Sequence, residues 1–490
     1  MGHGGRMQEV EILDLPGEPA PADELPPPRR GRWVALGVVA AVAAVLLVGQ
    51  SVLDARERAA IAALADVDGV VAPVDENLQV LRTIPSTAGA AVWGTGGSVM
   101  PGEDGSLSYD WLDPDTGATL WTTPLLGPTP ALVDVEHVSG LTTCEPELAS
   151  RQTDVRDASR IVCLVTDGGV EYGDEGAPKL LVAKATHLVV LAAADGSVLG
   201  DWPIDPAVSM AVLPGLAVVT STTDDATDVT AYDVESGEQR WSTTLDDSRP
   251  STQWVGAWIA RLDDLLVVQV RESRQTIMMA ADGSVLRDLT SEQGSSFQGW
   301  DIDDTTGRLM FSSQASDGTS TMTVVAADGD PSKDRVLQGQ QVTFGVDDGS
   351  VPGLVVTTDG AVRAWDARSG KALWSSGVAM FADQAMVLRG RVFIGTGDSV
   401  SALDARTGET LWTQKGEAGR YLVGLFTDGT HVLASLAAGG EQPSVLVAYV
   451  PSTGERAFQA SLPPGIEQAM PFDKQLVGFD SETGDYVILG

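Results

Sequence analysis

The chain has 490 residues, of which 43% are hydrophobic and 20% are charged, and its formal net charge is −37. This composition is that of a globular protein, and the length suits either two or three ordinary domains or one long repeat body. An acidic excess of this size repels phosphate backbones and anionic lipid headgroups, so we expect no nucleic acid partner.

The first 32 residues are predicted to form a disordered cytoplasmic tail. Residues 1–32 are rich in Pro, Gly and acidic residues and include the stretch PADELPPPRRGR. Such a segment cannot bury enough apolar surface to fold.

Residues 33–53 are predicted to be a transmembrane helix. The stretch WVALGVVAAVAAVLLVGQSVL has 21 residues and no charge, and at ~1.5 Å per residue it spans a hydrocarbon core of ~30 Å. Three arginines lie just before it, whereas the charges just after it nearly cancel. The arginine excess predicts a cytoplasmic N-terminus, an exported C-terminal part and a single-pass location in the cell membrane.

A cleaved signal peptide is the alternative to this anchor. Its best cleavage site, ALA at 63–65, lies about a dozen residues beyond the apolar run, which is farther than signal peptidase sites lie. We therefore favour an uncleaved anchor, followed by a juxtamembrane helix or linker over 54–69.

A repeated motif dominates the exported part. It occurs as LDPDTGATLW (112–121), YDVESGEQRW (232–241), WDARSGKALW (365–374) and LDARTGETLW (403–412). Each copy has Asp, then Ser or Thr followed by Gly, then Trp eight residues after the Asp. Looser copies follow at 450–458 and 480–484, with Phe458 and Ile488 in place of the Trp. A recurring motif of this kind indicates a repeat architecture.

The motif predicts two strands joined by a turn. Residues before the Asp alternate between apolar and small polar types, which is strand periodicity. Asp can bond its own backbone and Gly accepts a positive φ, so the segment between them predicts a tight turn. The turn residues are Asp113, Gly117, Asp233, Gly237, Asp366, Gly370, Asp404 and Gly408.

The spacing of the motif predicts propeller blades. Trp374 and Trp412 are 38 residues apart, and Trp121 and Trp241 are 120 apart, or three units of 40. About 40 residues suffice for the four short strands of one blade. The recurring Trp would supply a large apolar face that docks one blade on the next. The predicted docking residues are Trp121, Trp241, Trp374 and Trp412.

The frame x-A-[LYW]-D-x-x-[ST]-G-x-x-x-W resembles the repeat of pyrroloquinoline-quinone-type (PQQ-type) propellers. That family includes quinoprotein alcohol dehydrogenases and the non-enzymatic propeller lipoprotein of the bacterial outer-membrane β-barrel assembly machine. The resemblance covers about residues 77–490 and implies an all-β propeller domain over 70–490. The motif by itself says nothing about a cofactor.

We predict about eight four-stranded blades, with seven or nine as alternatives. The tail after the eighth blade holds one more hairpin, which we expect to pair with strands near 70–85 and close the ring. Degenerate turns, AADGSVL at 193–199 and again at 280–286, fill gaps in the repeat. The predicted blades are 86–126, 131–204, 207–246, 252–290, 296–338, 340–377, 379–415 and 420–462.

Cys144 and Cys163 are the only cysteines, and both lie on the predicted exported side. They bracket a polar loop between two apolar stretches, as the ends of a long hairpin would. Export favours a disulfide between them, with two free buried thiols as the alternative.

The resemblance raises the question of quinone-dependent dehydrogenase chemistry. In that family the chemistry uses a vicinal cysteine pair and a calcium ion held by Glu, Asn and Asp. Here the two cysteines are nineteen residues apart, and the only asparagine, Asn77, lies beside the predicted membrane anchor. We therefore expect no bound quinone, and the dehydrogenase is the least favoured function.

No other catalytic constellation is visible in the sequence. The four histidines are solitary, and none forms an HExxH motif or an i,i+4 pair. The Asp-rich segments 113–117 and 301–307 either bind calcium or form Asx turns, and we favour turns. We expect neither a catalytic residue nor a metal site.

These observations predict a protein-binding or scaffolding module on the extracytoplasmic side, attached to the membrane through one N-terminal helix. The predicted second blade, 131–204, has the largest insertions, and long loops on a rigid scaffold are common binding sites. An extracytoplasmic sensor or glycan receptor is the alternative, and it would need a polar pocket along the ring axis.

Overall fold

The structure is a computed structural model, and it separates into the units Met1–Ala62 and Ala63–Gly490. The first unit contains the predicted tail and membrane span, which lie outside the described residues. In the part that is described, no helix is long and apolar enough to cross a membrane. The described residues are 63–64, 67–89, 96–113, 116–133, 138–150, 153–172, 178–222, 226–246, 256–271, 274–290, 296–303, 308–326, 329–380, 384–439, 442–472 and 474–490.

The described part of the second unit consists almost entirely of short strands. Strands of the N-terminal half are β1 (Val80–Ile84), β2 (Gly97–Pro101), β3 (Leu107–Leu112), β4 (Thr119–Leu126), β5 (Val138–Gly140), β6 (Thr143–Pro146), β7 (Arg160–Thr166), β8 (Gly169–Glu171), β9 (Lys179–Leu181), β10 (Thr186–Ala192), β11 (Val198–Ile204), β12 (Ser209–Leu213), β13 (Leu216–Thr222), β14 (Ala226–Asp233), β15 (Gln239–Asp246), β16 (Trp258–Leu262), β17 (Leu265–Arg271), β18 (Arg274–Met279) and β19 (Val285–Thr290).

The C-terminal half continues in the same way. Its strands are β20 (Ser296–Asp303), β21 (Arg308–Gln314), β22 (Ser320–Val324), β23 (Arg335–Gln338), β24 (Gln340–Gln341), β25 (Phe344–Asp347), β26 (Leu354–Thr358), β27 (Val362–Asp366), β28 (Ala372–Ser376), β29 (Ala385–Leu388), β30 (Arg391–Thr396), β31 (Ser399–Asp404), β32 (Thr410–Lys415), β33 (Arg420–Thr427), β34 (Val432–Ala438), β35 (Val445–Tyr449), β36 (Arg456–Ser461), β37 (Ile466–Phe472), β38 (Gln475–Asp480) and β39 (Tyr486–Leu489). Four short 3-10 turns lie at Ser86–Ala88, Pro130–Leu132, Val155–Asp157 and Pro331–Lys333.

The strands form nine consecutive blades among the described residues. Within each blade, neighbouring strands are antiparallel, and in most blades they follow one another along the chain. Blade 1 is β2–β4, blade 2 is β6, β7, β10 and β11, blade 3 is β12–β15, blade 4 is β16–β19, blade 5 is β20–β23, blade 6 is β24 and β26–β28, blade 7 is β29–β32, blade 8 is β33–β36, and blade 9 is β37–β39 with β1.

Apolar clusters join every blade to the next. Nine such clusters occur in the described residues, and each contains residues of two consecutive blades. One of them closes the ring, because Ile84, Val477 and Ile488 of blade 9 pack with Leu112 of blade 1. A closed ring of antiparallel sheets is a β-propeller, so the predicted all-β propeller is confirmed for the described residues.

The first strand of each blade faces the ring axis. First strands of successive blades contact one another, as β6, β12 and β16 do and as β33 and β37 do. Radial sheets approach each other most closely at the axis. The last strand of each blade therefore lies at the rim, where alternate residues such as Leu373 and Leu411 are exposed.

The blade count exceeds the predicted eight by one. Each of the eight predicted blades corresponds to one observed sheet. The tail hairpin pairs with β1 as predicted, in the register Ile84↔Tyr486 to Val80↔Leu489. However, Ile466–Phe472 adds a further strand to it, so that the tail forms a four-stranded ninth blade. Blade 1, predicted to have four strands, has three among its described residues.

Two segments of the chain add to the inner edges of blades 7 and 8. Strand β25 pairs in parallel with β29, the first strand of blade 7. Val70 forms a parallel bridge with Thr427, at the end of the first strand of blade 8. The two segments meet, because a methyl group on Gly69 would clash with the carbonyl oxygen of Gly345. On this side of the axis the protein covers its own inner strands.

Blade 2 contains an additional three-stranded sheet, which we call the insertion sheet. It consists of β5, β8 and β9, paired in the registers Val138↔Glu171 and Glu171↔Lys179. Strand β5 precedes the blade, and β8 and β9 lie between its second and third strands. The long insertions predicted for 131–204 therefore fold into a sheet of their own.

Cys144 and Cys163 form a disulfide, as predicted. They are directly opposite each other on the antiparallel strands β6 and β7. The polar segment between them is the loop of this hairpin. Cys163 is fully buried, in the cluster that joins blades 1 and 2.

Candidate functional site

The four predicted Asp-Gly turns have one geometry. Each aspartate carboxylate accepts a hydrogen bond from the backbone N–H three residues later, at 2.7–2.9 Å. Each turn glycine donates its N–H to the aspartate carbonyl oxygen, at 2.7–2.8 Å. The glycine φ angles lie between 66° and 72°, in the left-handed region that favours glycine. The turns therefore have the structure that the sequence predicted.

Hydrogen bonds lower the pKa of three of the turn carboxylates, which favours their charged form. The Arg240 guanidinium, hydrogen-bonded to Asp233, holds the pKa of that carboxyl well below its usual range. Hydrogen bonds from Ser369 lower the pKa of Asp366. Burial raises the pKa of Asp404, but the hydrogen bonds from Thr407 and Arg406 outweigh it and leave that pKa below its ordinary value. Stabilised carboxylates of this kind are turn anchors, with their lone pairs occupied by the local backbone.

The motif tryptophans dock each blade on the turn of the following blade. In each case the indole Nε1–H donates to a backbone carbonyl there: Trp121 to Ala193 at 2.9 Å, Trp241 to Ala280 at 3.1 Å, Trp374 to Ala405 at 2.9 Å and Trp412 to Pro451 at 3.1 Å.

The turn glycine of the following blade lies beneath the indole ring. A methyl group on Gly408 would approach Trp374 to 2.6 Å, and one on Gly454 would approach Trp412 to the same distance. Glycine is thus required twice, for its positive φ and for the close approach of the ring. The sequence predicted the first role only.

Trp202 is a fifth docking tryptophan that the sequence analysis missed. Gly200 occupies the motif position four residues after the turn glycine Gly196, and a methyl group there would clash with the Trp202 ring. The indole thus folds back over Gly200 and packs on Gly237 of blade 3. The sequence could have indicated this, because Trp202 lies only two residues after the motif position, which Gly200 occupies.

An arginine replaces the tryptophan at two junctions, between blades 4 and 5 and between blades 5 and 6. Arg287 follows the turn glycine Gly283 by four residues, as the motif Trp does. Its guanidinium donates to the Gly329 carbonyl oxygen at 3.2 Å and to the Asp334 carboxylate at 2.7 Å. We call these the Arg junctions, in contrast to the Trp junctions.

The second Arg junction joins blades 5 and 6. Arg335 donates to the carbonyl oxygen of Ala367 at 2.6 Å. Its side chain also covers Gly370, where a methyl group would approach Arg335 Cδ to 2.8 Å. The aliphatic part of Arg335 therefore packs on Gly370 as the indole ring of Trp374 packs on Gly408.

The predicted motif residues thus form the turns and the blade junctions. Among the described residues no group of His, Cys, Asp and Glu could hold a metal ion. Most of the Asp-rich segment 301–307 and part of 113–117 lie outside the description. His187 and His431 each contact an aspartate, Asp201 and Asp428, at 2.7 and 3.0 Å.

A cavity of about 480 Å³, which we call the inner-strand cavity, lies on the axial side of blades 2 to 4. It borders the insertion sheet at Gly140. Its other lining residues come mainly from the first strands of the three blades: Thr143, Glu145, Ser209, Met210, Ala211, Trp258, Ile259, Ala260 and Arg261. Since those strands are more than 40 residues apart in the chain, the sequence alone did not reveal the cavity.

The polar side chains of this cavity cap the inner edges of neighbouring blades. Glu145 Oε2 accepts from the Val212 N–H at 3.1 Å, and Ser209 Oγ accepts from the Ile259 N–H at 3.3 Å. Arg261 donates to the carbonyl oxygens of Leu148 at 2.8 Å and Ala149 at 2.9 Å. Burial raises the pKa of the Glu145 carboxyl.

Comparison with known proteins identifies the family. The family model described as outer membrane protein assembly factor BamB, of the PQQ-like propellers, matches residues 103–331 and 335–478. No curated protein matches the chain.

Solved structures with similar folds share little sequence with the chain. BamB from Moraxella catarrhalis is 16% identical, with 66% of this chain and 93% of that chain covered and a TM-score of 0.35. The dihydro-heme d1 dehydrogenase NirN is 12% identical over 62% and 71%, with a TM-score of 0.35. The C-terminal WD40 domain of Sif2 is 13% identical over 76% and 99%, with a TM-score of 0.34. With the family model matching most of its length, the chain belongs to the BamB-like family of PQQ-type β-propellers.

Proposed function

We propose that the chain is a non-catalytic protein-binding module, anchored by residues 33–53 and exposed on the extracytoplasmic side of the membrane. The family description names an assembly factor, and a scaffold that gathers other proteins fits a rigid ring without chemistry of its own. The uncharged run and the arginines before it support the anchor and its orientation.

The insertion sheet is the observation that carries this proposal. Elsewhere in the described ring, the motif side chains are engaged in turns and junctions. At blade 2 the chain leaves the repeat and builds extra structure whose ends expose large apolar side chains. Val182 is 73% exposed and Tyr172 is 51% exposed, at the ends of β9 and β8. Exposed apolar side chains on an ordered insertion are suited to contact a protein partner.

Site-specific photo-cross-linking tests the binding surface. A benzophenone amino acid at Val182 of the full chain, in intact membranes, should cross-link to one protein species. Leu411, 43% exposed at the rim of blade 7, provides the matched control and should give no such species. Equal capture from both positions, or none from Val182, would contradict the proposal.

Protease accessibility tests the anchor separately. Protease added to spheroplasts should digest residues 70–490 and spare residues 1–32. A soluble mature protein that starts near Asp66 would show that the N-terminal segment is a cleaved signal.

Absorbance spectra and elemental analysis test the absence of cofactor chemistry. The purified full chain should show no quinone absorbance and no stoichiometric calcium. Either one, bound at one equivalent, would favour the dehydrogenase instead.

A further inference from the structure

The two sides of the ring axis differ. The inner-strand cavity leaves the inner edges of blades 2 to 4 open, whereas other segments cover the inner edges of blades 7 and 8. On blades 7 and 8 the inner edges are occupied by β25 and by the segment around Val70. On blades 2 to 4 the described chain places no such strand, and a cavity of about 480 Å³ remains. The ring is thus asymmetric. The cavity has space for a bound group, and it lies next to the insertion sheet.

Glu145 supplies an acceptor to this cavity. One of its oxygens, Oε2, accepts from the Val212 N–H, whereas Oε1 accepts no hydrogen bond from a described residue. Arg261, also in the cavity lining, does not form an ion pair with it in the described structure, because its N–H groups bond the carbonyl oxygens of Leu148, Ala149, Val212 and Asp263. The carboxylate can therefore accept a charged donor from an occupant.

Trp258 supplies an aromatic side chain to the same cavity. Its side chain is 43% exposed although it lies on the first strand of blade 4. Its ring centroid is 6.1 Å from that of Trp300 on the first strand of blade 5. An exposed indole attracts a cation over its face, and guanidinium groups most often occupy such positions.

The charges around the cavity favour a cation. Three carboxylates, those of Asp263, Asp264 and Glu145, interact electrostatically with the single guanidinium of Arg261, and Glu145 and Arg261 line the cavity. The whole chain carries a formal net charge of −37. An acidic protein attracts basic partners over several ångströms before contact.

We propose that the inner-strand cavity receives an arginine or lysine side chain of the protein partner, bound between the Glu145 carboxylate and the Trp258 indole. The inference rests on the proposed function, since it specifies which chemistry the partner presents. The insertion sheet would contact the same partner from the rim of the cavity.

Fluorine NMR of the full chain in detergent tests this site directly. The twelve tryptophans are replaced by 5-fluorotryptophan, and the Trp258 signal is assigned with W258F. The probes are Nα-acetyl-arginine amide and its uncharged isostere Nα-acetyl-citrulline amide. The Trp258 signal should shift saturably with the arginine probe and at least about fivefold more weakly with citrulline.

The E145Q variant should weaken binding of the arginine probe about tenfold. The side-chain amide of this variant can still accept from the Val212 N–H, and unchanged Trp412 and Trp374 signals report that the ring is intact. E417Q, at an exposed glutamate that pairs with Arg420, is the matched control and should bind like the parent.

Three outcomes would overturn the inference: no shift with either probe, equal shifts with both, or unchanged binding in E145Q. A Trp258 shift with N-acetylglucosamine in place of arginine would assign a glycan site instead. Failure here is distinct from failure of the proposed function, because capture from Val182 does not depend on this cavity.

Discussion

The Trp junctions and the Arg junctions join blades in the same place by different physical means. Trp412 is 9% exposed and packs between Phe393 and Tyr449, with ring centroids 5.8 and 6.3 Å away. Arg287 instead donates to Gly329 and forms an ion pair with Asp334, whose side chain is 9% exposed. Both side chains donate to a carbonyl group in the next blade.

At these junctions the indole and the guanidinium are both long, flat side chains that donate an N–H to the next blade. Phe458, at the motif position of blade 8, packs in the cluster that joins blades 8 and 9 without such a donor, so apolar packing alone serves at that junction. A Trp junction gains most of its stability from buried apolar area, which salt affects little. An Arg junction relies on charge and hydrogen bonds, so it depends on its carboxylate partner and on ionic strength.

The largest expected effect is at a Trp junction. Trp412→Ala removes a buried ring and should lower the free energy of unfolding by about 3–5 kcal/mol, as other aromatic truncations do. Urea unfolding of the full chain in detergent measures the loss. Trp258→Ala, at an exposed tryptophan outside the junctions, is the control and should cost less than about 1 kcal/mol.

The disulfide within blade 2 lies in the same apolar cluster as Trp121, at the junction between blades 1 and 2. Replacing Cys144 and Cys163 by serine should lower the free energy of unfolding by about 3 kcal/mol in the chain-entropy model. The midpoint of thermal unfolding should fall accordingly. Reductant should lower the unfolding midpoint of the parent by a similar amount and leave that of the serine variant unchanged. Equal unfolding midpoints of the two proteins without reductant would argue against a stabilising disulfide.

A smaller loss is expected at an Arg junction. Arg287→Met keeps most of the stem but removes the bonds to Gly329 and Asp334, and should cost about 1.5–3 kcal/mol. Because the parent pair is electrostatic, the difference between parent and variant should shrink as sodium chloride is raised. Arg406→Met, in a turn of blade 7, is the control. A loss that does not change with salt would mean that Arg287 acts through packing, like the tryptophans.

The smallest expected effect is at a turn. Asp404→Ala removes hydrogen bonds from Arg406 and Thr407 and should cost about 0.5–1.5 kcal/mol. Glu409→Ala in the same turn is the control. If Asp404→Ala destabilised the protein as much as Trp412→Ala, the turn would have to contribute directly to the blade junction.

The sequence predicted the repeat, the turns and the disulfide because each depends on residues close in the chain or on a single pair. It did not predict the Arg junctions, because an arginine at the motif position does not by itself indicate a docking side chain. The sequence did not predict the role of Trp202 either, because this residue lies two positions after the motif position and its ring folds back over Gly200 to reach Gly237.

Apart from the pairing of the tail hairpin with β1, the sequence did not predict the features that form between distant strands. The ninth blade forms because β37 joins the predicted hairpin, and no repeat motif marks that strand. The inner-strand cavity combines residues of three blades, and its opening depends on where β25 and the Val70 segment lie across the ring. These arrangements follow from closure of the whole ring, which short-range periodicity does not encode.

The central claim is that the repeat builds the ring and the insertion sheet binds the partner. It is tested most directly by measuring, for two variants, both thermal unfolding and binding of the protein captured from Val182. Trp412→Ala should unfold at a lower temperature and still bind while folded. The double variant Tyr172→Ser, Val182→Ser should unfold like the parent and lose binding. The reverse pattern, with binding lost in a stable Trp412→Ala variant and kept in the double variant, would contradict the account.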